Sequence, residues 1–173
     1  GGNLGTASPI GDLLPVLLAL DASVVCRSVR GERRLPVADY FLDYRRTARA
    51  EDELIVAVEL PARLPGIGAS YKVAKRQTDD ISIVAASFVI DRDAQGRVRR
   101  ALLAYGGVAA TPRRALAAEA FLFGRSLDAA TLAAVAALLR QAFTPLSDHR
   151  AGADYRRALC ASLFARFVAE HLA

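Results

Sequence analysis

Residues 81–107, ISIVAASFVIDRDAQGRVRRALLAYGG, decide the fold of this chain. Two strand-like apolar runs, 81–91 and 97–107, flank the polar segment 92–96, which ends at Gly96. A polar turn that ends in glycine between two such runs is typical of a β-hairpin. The sequence therefore predicts an antiparallel pair of long strands near the middle of the chain.

Three helices are predicted to follow this hairpin. The segment 113–124 comes after Thr111-Pro112 and ends at Gly124, a residue often found just past a helix C-terminus. The segments 128–143 and 152–173 carry apolar residues every three or four positions, which is typical of helices with one buried face. The positions expected to face the core are Leu132, Val135, Leu139 and Phe143, then Tyr155, Leu159, Leu163, Phe164, Phe167 and Val168.

A further helix is predicted near the start, over residues 8–22. Ser8 is a suitable N-cap, and Pro9 would occupy the first helical position, where its missing N–H costs nothing. Asp12 would fall near the positive end of the helix dipole. Pro15 should bend this helix or confine it to its C-terminal part.

Strands are predicted between this helix and the hairpin. Two short strands flank Arg30-Gly31, a short helix or turn follows over 37–46, and 69–76 is a strand candidate. The segment 53–60 alternates as a strand does. We expect Leu54, Val56, Val58 and Leu60 to face the core, and Ile55, Ala57 and Glu59 to face the other way.

The order of these elements, with strands mostly first and helices after, predicts an α+β fold. The Pro- and Gly-rich stretch that starts at residue 61 suggests a division into residues 1–64 and residues 65–173. The second part would be a small antiparallel sheet with three helices.

Composition excludes several classes of protein. No apolar run approaches the roughly 18 residues that a membrane span requires, so we expect no membrane association. The net charge is +5, but the arginines are scattered in pairs and do not cluster with aromatic residues as in a nucleic-acid-binding module. Steep salt-dependent retention on single-stranded DNA would reopen that alternative.

The thiols and the N-terminus carry two more expectations. Cys26 and Cys160 have neither Cys nor His at ligand spacing, so we expect buried free thiols in a reducing, cytoplasmic compartment, and no metal site. The chain contains no Met and begins Gly-Gly-Asn, which suggests a piece of a longer polypeptide.

Three stretches could carry chemistry, and each also has a purely structural explanation. The opening GGNLGTASP (1–9) could cradle an anion or nucleotide, or be an ordinary capped loop. YKVAKRQTDDIS (71–82) contains the only two lysines of the chain, yet could be a solvated loop with local ion pairs. AYGGVAATPRRA (104–115) fits a strand-to-helix turn that needs small residues.

Taken in order, five stretches resemble the flavin-binding part of molybdenum hydroxylases, and most of all the small FAD-carrying subunit of bacterial xanthine dehydrogenase. The resemblance covers nearly the whole chain. The five stretches are GGNLGTASPIGDLLP (1–15), YRRTARAEDELIVAVELP (44–61), YKVAKRQTDDIS (71–82), AYGGVAATPRRA (104–115) and SDHRAGADYRRAL (147–159).

The resemblance implies a domain arrangement and a set of cofactor contacts. Residues 1–64 would be the second half of an FAD-binding domain, and residues 65–173 the C-terminal domain of the flavoprotein. FAD would do the redox chemistry, so the resemblance implies no catalytic side chain in this chain. The residues implied to contact FAD are Gly1, Gly2, Asn3, Thr6, Ser8, Asp12, Ile55 and Lys72.

The resemblance also implies a place in an electron-transfer chain. Electrons from hydroxylation at a molybdenum cofactor would pass through iron–sulfur clusters to FAD and then to NAD. Arg76, Asp79 and Asp80 would border the flavin face that NAD approaches, although Gln77 and Thr78 replace charged residues of some relatives. The partners would be a molybdenum-cofactor-binding large subunit and an iron–sulfur domain, in a hetero-oligomer.

The resemblance leaves the role of the chain on its own open. With half of the cradle missing, we expect the 173-residue chain by itself to bind FAD weakly or not at all, and to be inactive as an oxidoreductase. The alternative is a non-catalytic subunit-interaction module, in which the helical half docks on a neighbouring chain.

Overall fold

The computed structural model describes residues 2–63, 66–77 and 80–172. Gly1 and Asp79, two of the residues with expected roles, lie outside the described residues. The helices are α1 (Gly2–Gly5), α2 (Leu13–Ala19), α3 (Val37–Tyr40), α4 (Leu116–Leu122), α5 (Ala129–Gln141) and α6 (Ala153–His171). The strands are β1 (Ser23–Ser28), β2 (Gly31–Pro36), β3 (Phe41–Asp43), β4 (Arg46–Thr47), β5 (Leu54–Glu59), β6 (Gly68–Val73), β7 (Val84–Arg92), β8 (Val98–Gly106) and β9 (Arg113–Arg114).

The predicted hairpin forms the centre of the molecule. Strands β7 and β8 pair antiparallel, with Phe88 opposite Leu103, inside a four-stranded sheet of order β6-β7-β8-β9. The turn is closed by the Asp93 carboxylate, which accepts hydrogen bonds from the backbone N–H groups of Gln95 and Arg97. Gly96 has a φ of +77°, a left-handed conformation that glycine adopts at little cost.

The two faces of the β7–β8 pair contact different hydrophobic cores. One face carries Phe88 and Tyr105 into a core shared with α4, α5 and α6. The opposite face carries Val89 and Leu102 into a second core shared with α2 and β1. The predicted α+β class is confirmed: small antiparallel sheets pack against helices, and one strand pair joins both cores.

The prediction for the segment 53–60 is correct for the strand and wrong for its buried face. Strand β5 lies beside β1 at the edge of the sheet β2-β1-β5, but the register passes from Val25–Ala57 to Cys26–Ile55 and omits Val56. This β-bulge inserts one residue and breaks the alternation of faces. The expected core row is exposed on both sides of the bulge, to 74% at Leu54 and 40% at Val58, and Ile55 packs partly against the second core instead.

The first predicted helix begins later than expected. Helix α2 starts at Leu13, so Ser8 is not its N-cap and Pro9 is not its first residue. Residues 8–11 form a turn in which the N–H of Gly11 donates to the carbonyl of Ser8 at 3.3 Å. Pro15 is confined to the first turn of the helix, where a missing N–H is tolerated.

Two corrections concern the helical half. Arg113 and Arg114, expected at the start of a helix, instead form the short edge strand β9, which pairs with Tyr105 and Ala104. Tyr155, expected in the core stripe of the last helix, is 51% exposed, because the buried stripe of α6 runs through Cys160, Phe164, Phe167 and Val168.

Among the described residues, no helix has the length and apolar character needed to cross a membrane.

Candidate functional site

The opening segment folds into one turn of helix followed by a tight loop. The N–H and the hydroxyl of Thr6 both donate to the carbonyl of Gly2, at 2.9 and 3.0 Å, and so close helix α1. The N–H of Ser8 donates to the carbonyl of Asn3 at 3.0 Å. Asn3 and Thr6 remain exposed, and Ser8 is half-buried. The candidate polar residues of the opening thus lie on one compact, accessible turn, residues 2–11, which we call the opening turn.

Asp12 and Lys72 meet although sixty positions separate them. The Lys72 ammonium lies 2.8 Å from Oδ2 of Asp12. Both side chains are nearly half exposed, at 42% and 49%, so the pair is accessible to a ligand from solvent. Asp12 is adjacent to Gly11, where a Cβ would lie 2.9 Å from the Cβ of Asn3. The opening turn and the lysine therefore belong to one side-chain cluster.

Ile55 adds an apolar side chain to this region. Its Cδ1 would be 3.8 Å from a Cβ built at Gly5, which places it in contact range of the end of α1. Ile55 packs partly against the second core, whereas Leu54 beside it is exposed. The structure thus places Ile55 beside the end of α1 and pairs Asp12 with Lys72. Gly2, Asn3, Thr6 and Ser8 lie together on the opening turn.

The loop after β6 is held by Asp80. Its carboxylate accepts backbone hydrogen bonds from Ile81 at 2.8 Å and Arg76 at 2.9 Å, and both bonds lower its pKa from the ordinary value. A cavity of about 450 Å³ lies between residues 72–77 and Asp80. Lys75 points elsewhere and donates to the carbonyl of His149 at 2.8 Å. Of the two lysines, only Lys72 reaches the opening turn.

A hydrogen-bonded chain fastens the opening turn to the central sheet. The carbonyl of Pro9 accepts from the N–H of Gly107 at 2.7 Å. The carbonyls of Gly107 and Ile83 both accept from Nη1 of Arg156, which is 4% exposed and also donates to Asp148. Because α6 thereby anchors the ends of β7 and β8, the site rests on the rigid core.

Sequence reasoning did not identify Ser82 and Arg156. Ser82 is 1% exposed, and its hydroxyl lies 2.5 Å from Oδ1 of Asp12. Arg156 is an arginine among many in the sequence, and its burial follows from the packing of α6. The sequence signal for Ser82 is its position at the end of the stretch 71–82, two residues after the acids.

Comparison with known protein families accounts for this arrangement. Residues 1–63 match the family described as the FAD binding domain in molybdopterin dehydrogenase, and residues 69–171 match the CO dehydrogenase flavoprotein C-terminal domain. The chain belongs to the flavoprotein family of molybdopterin dehydrogenases. The resemblance found in the sequence is therefore confirmed at the level of the family.

Individual relatives of this flavoprotein support the assignment. A xanthine dehydrogenase from Blastobotrys adeninivorans is 36% identical over 174 residues, covering 96% of this chain and 12% of that protein. The alpha subunit of the 6-hydroxypseudooxynicotine dehydrogenase complex of Paenarthrobacter nicotinovorans is 31% identical, covering 99% of this chain and 58% of that subunit. The reconstituted CO dehydrogenase from Oligotropha carboxidovorans superposes with a TM-score of 0.87 at 28% identity, covering 96% of this chain and 58% of that one. The flavoprotein chain thus spans little more than half the length of its shorter relatives.

The chemistry of the clustered side chains fits a flavin dinucleotide. FAD presents a flat, largely apolar ring, a hydroxylated linker and phosphates. The flavoprotein offers an apolar side chain at Ile55, hydroxyls at Thr6 and Ser8, and an accessible ammonium at Lys72. An ammonium and a carboxylate held 2.8 Å apart can also hydrogen-bond the polar edge of a ring, because Lys72 has three N–H donors and Asp12 uses only one of them.

Proposed function

We propose that this flavoprotein chain forms part of an FAD seat between its opening turn and Lys72. The observation that carries the proposal is the Asp12–Lys72 pair, which joins a residue of the FAD-binding domain match to a residue of the C-terminal domain match. An exposed ion pair contributes little to stability, so the folding of the chain does not by itself account for the pair. The pair would hold the polar edge of the ring.

Each described residue has a distinct task in this proposal. Lys72 favours negative charge on the neighbouring ring, as a fixed cation does wherever charge develops. Asp12 accepts one hydrogen bond from the Lys72 ammonium and so fixes its direction. Ile55 offers an apolar surface for ring packing, while Gly2, Asn3, Thr6 and Ser8 present backbone and side-chain polar groups to the linker and phosphates. We assign Gly1 the same task, although it lies outside the described residues.

The same proposal extends to the parent enzyme, an oxidoreductase of the molybdenum hydroxylase type. When bound, FAD supplies the redox chemistry that carries electrons from iron–sulfur clusters to NAD. Arg76, Asp79 and Asp80 would border the approach of NAD; the hydrogen bonds that close the loop on Asp80 support this. The partners we propose are a molybdenum-cofactor-binding large subunit and an iron–sulfur domain, in a cytoplasmic hetero-oligomer.

The test is the FAD content and affinity of the full-length native protein. Lys72→Ala and Asp12→Ala should each weaken FAD binding about tenfold or more, since each removes a charge-assisted hydrogen bond. Lys75→Ala is the matched control, because it removes another exposed lysine three positions away, whose ammonium donates to a backbone carbonyl. Flavin absorbance after gel filtration and titration with FAD measure both quantities. Unchanged affinity in both Lys72→Ala and Asp12→Ala would refute the seat.

A second candidate function, subunit docking by the helical half, is favoured by its exposed apolar side chains. Phe123 and Leu146 are 70% and 83% exposed. We propose that they contact a neighbouring chain of the complex. Replacing both by Asp should release the molybdenum-containing partner during purification, whereas Val29→Asp, in the turn between β1 and β2, should not. Retention of the partner by the double variant would count against this function.

A further inference from the structure

Ser82 is a buried residue that contacts Asp12 of the proposed FAD seat. Its hydroxyl is 2.5 Å from Oδ1 of Asp12, and the other carboxylate oxygen, Oδ2, is 2.8 Å from the Lys72 ammonium. Asp12 and Lys72 are both partly exposed, but Ser82 is 1% exposed. The Asp12 carboxylate thus accepts a hydrogen bond from the buried Ser82 hydroxyl on Oδ1 and one from the accessible Lys72 ammonium on Oδ2.

The residue after Ser82 is fixed to the end of β6. Ile83 donates its N–H to the carbonyl of Val73 at 2.7 Å, so Ser82, two residues before β7, lies beside the end of β6 that carries Lys72. The two groups that hold Asp12 therefore lie on β6 and on the residues that lead into β7. Asp12 itself directly precedes α2.

We propose that Ser82 is a positioning residue for FAD: its hydroxyl fixes the Asp12 carboxylate and, through it, the direction of the Lys72 ammonium. This inference rests on the proposed function. An exposed Lys–Asp pair alone loses side-chain entropy on adopting one geometry and is worth little. A buried hydroxyl that donates to Oδ1 removes the rotation of the carboxylate, so Oδ2 faces Lys72 before FAD arrives.

The Ser82 hydroxyl also offsets part of the negative charge of Asp12. A donor on Asp12 offsets part of its negative charge, which leaves more of the positive charge of Lys72 available to the ring. Without Ser82 the carboxylate would oppose reduction of the flavin more strongly. The midpoint potential of bound FAD should then move to more negative values, a change that a merely structural serine would not cause.

The experiment uses the full-length native protein with Ser82→Ala and Ser82→Thr. Ser82→Ala should weaken FAD affinity about 3- to 10-fold, the ordinary worth of one hydrogen bond, and lower the midpoint potential. Ser82→Thr keeps the hydroxyl and should restore the potential toward that of the wild type. Ser87→Ala is the matched control, five residues later in β7: Ser87 is also buried, and its hydroxyl bonds that of Ser70 at 3.0 Å instead of Asp12.

A double-mutant cycle separates this inference from the proposed function. In an Asp12→Asn background, Ser82→Ala should change FAD affinity less than twofold, because the partner that it positions is already altered. If Lys72→Ala and Asp12→Asn lose FAD while Ser82→Ala keeps wild-type affinity and potential, the positioning role is wrong and the seat stands. If none of the three variants affects FAD, the seat itself is wrong. An equal loss in Ser87→Ala would reduce Ser82 to a structural serine.

Discussion

Gly107 is the glycine at which we expect an added methyl group to lower the stability of the fold most. It follows strand β8 with a φ of +80°, and a Cβ built there would lie 2.3 Å from the carbonyl oxygen of Ile83. Real Cβ atoms do not approach a backbone oxygen so closely, and Ile83, directly before β7, is held through its backbone by hydrogen bonds to Val73 and Arg156. Gly107→Ala must therefore move one of the two backbone segments.

The cost of this substitution has two sources. A left-handed conformation costs an L-residue about 1–2 kcal/mol. Displacement of the Ile83 carbonyl also weakens its hydrogen bond from the buried Arg156, and a bond to a charged group is worth about 1.5–3 kcal/mol. We expect Gly107→Ala to lower the free energy of unfolding by about 3–5 kcal/mol, since both effects act together. For a chain of this size that corresponds to a fall in Tm of roughly 10 °C.

Chemical denaturation followed by circular dichroism measures this loss, and Gly96→Ala is its control. Gly96 has nearly the same φ, +77°, but within the described part of the chain no heavy atom lies within 4 Å of a Cβ built there. Gly96→Ala should therefore show the backbone cost alone, about 1–2 kcal/mol. If the two variants lose the same stability within about 0.5 kcal/mol, the clash with Ile83 does not exist and the reasoning is wrong.

Three further predictions concern the Arg33–Glu53 ion pair, a buried ring and an exposed ring. The bidentate hydrogen bond from Arg33, together with a backbone N–H, lowers the pKa of Glu53 to about 2. The free energy of unfolding should therefore fall as the pH drops from about 4.5 toward 2, where Glu53 becomes protonated in the folded state, and Glu53→Gln should flatten this part of the pH curve of urea midpoints. Phe88→Ala removes a fully buried ring and should cost about 3–5 kcal/mol by the same denaturation assay. Phe123→Ala, at a 70% exposed ring, should stay within about 0.5 kcal/mol of the wild type.

Local patterns were enough to predict the central hairpin and the last two helices. The turn at Gly96 and the cap at Asp128, whose side chain accepts from the N–H of Thr131 at 2.8 Å, depend on neighbouring residues alone. The face of β5 was not predictable in this way. Its alternation is that of a regular strand, and the bulge at Val56 is a property of its pairing with β1, on which the sequence of 53–60 carries no information.

The start of helix α2 was also set by a distant contact that the local sequence pattern does not contain. Ser8-Pro9 is a typical helix start, but the carbonyl of Pro9 is bound to Gly107, a contact across nearly a hundred residues. That contact favours a turn over residues 8–11 and delays the helix to Leu13. The shift has a chemical consequence, because Asp12 then precedes the helix with its carboxylate directed to Lys72, rather than lying within the first helical turns.

The candidate site draws its residues from both sides of the central strand pair, and this explains why only the resemblance to a family identified it. Asp12 is brought to Lys72 by the packing of α2 on β7 and β8, and Ser82 reaches Asp12 because β7 begins beside the end of β6. None of these three residues has a neighbour in the sequence that marks it as a ligand-binding residue. Residues 1–64 supply Asp12 to the site, and residues 65–173 supply Lys72 and Ser82. Gly107→Ala should disturb the hydrogen bond between Gly107 and Pro9 that joins these two parts. It should therefore weaken FAD binding although Gly107 is not part of the proposed seat. Gly96→Ala, which leaves the Gly107–Pro9 hydrogen bond intact, should not change FAD binding.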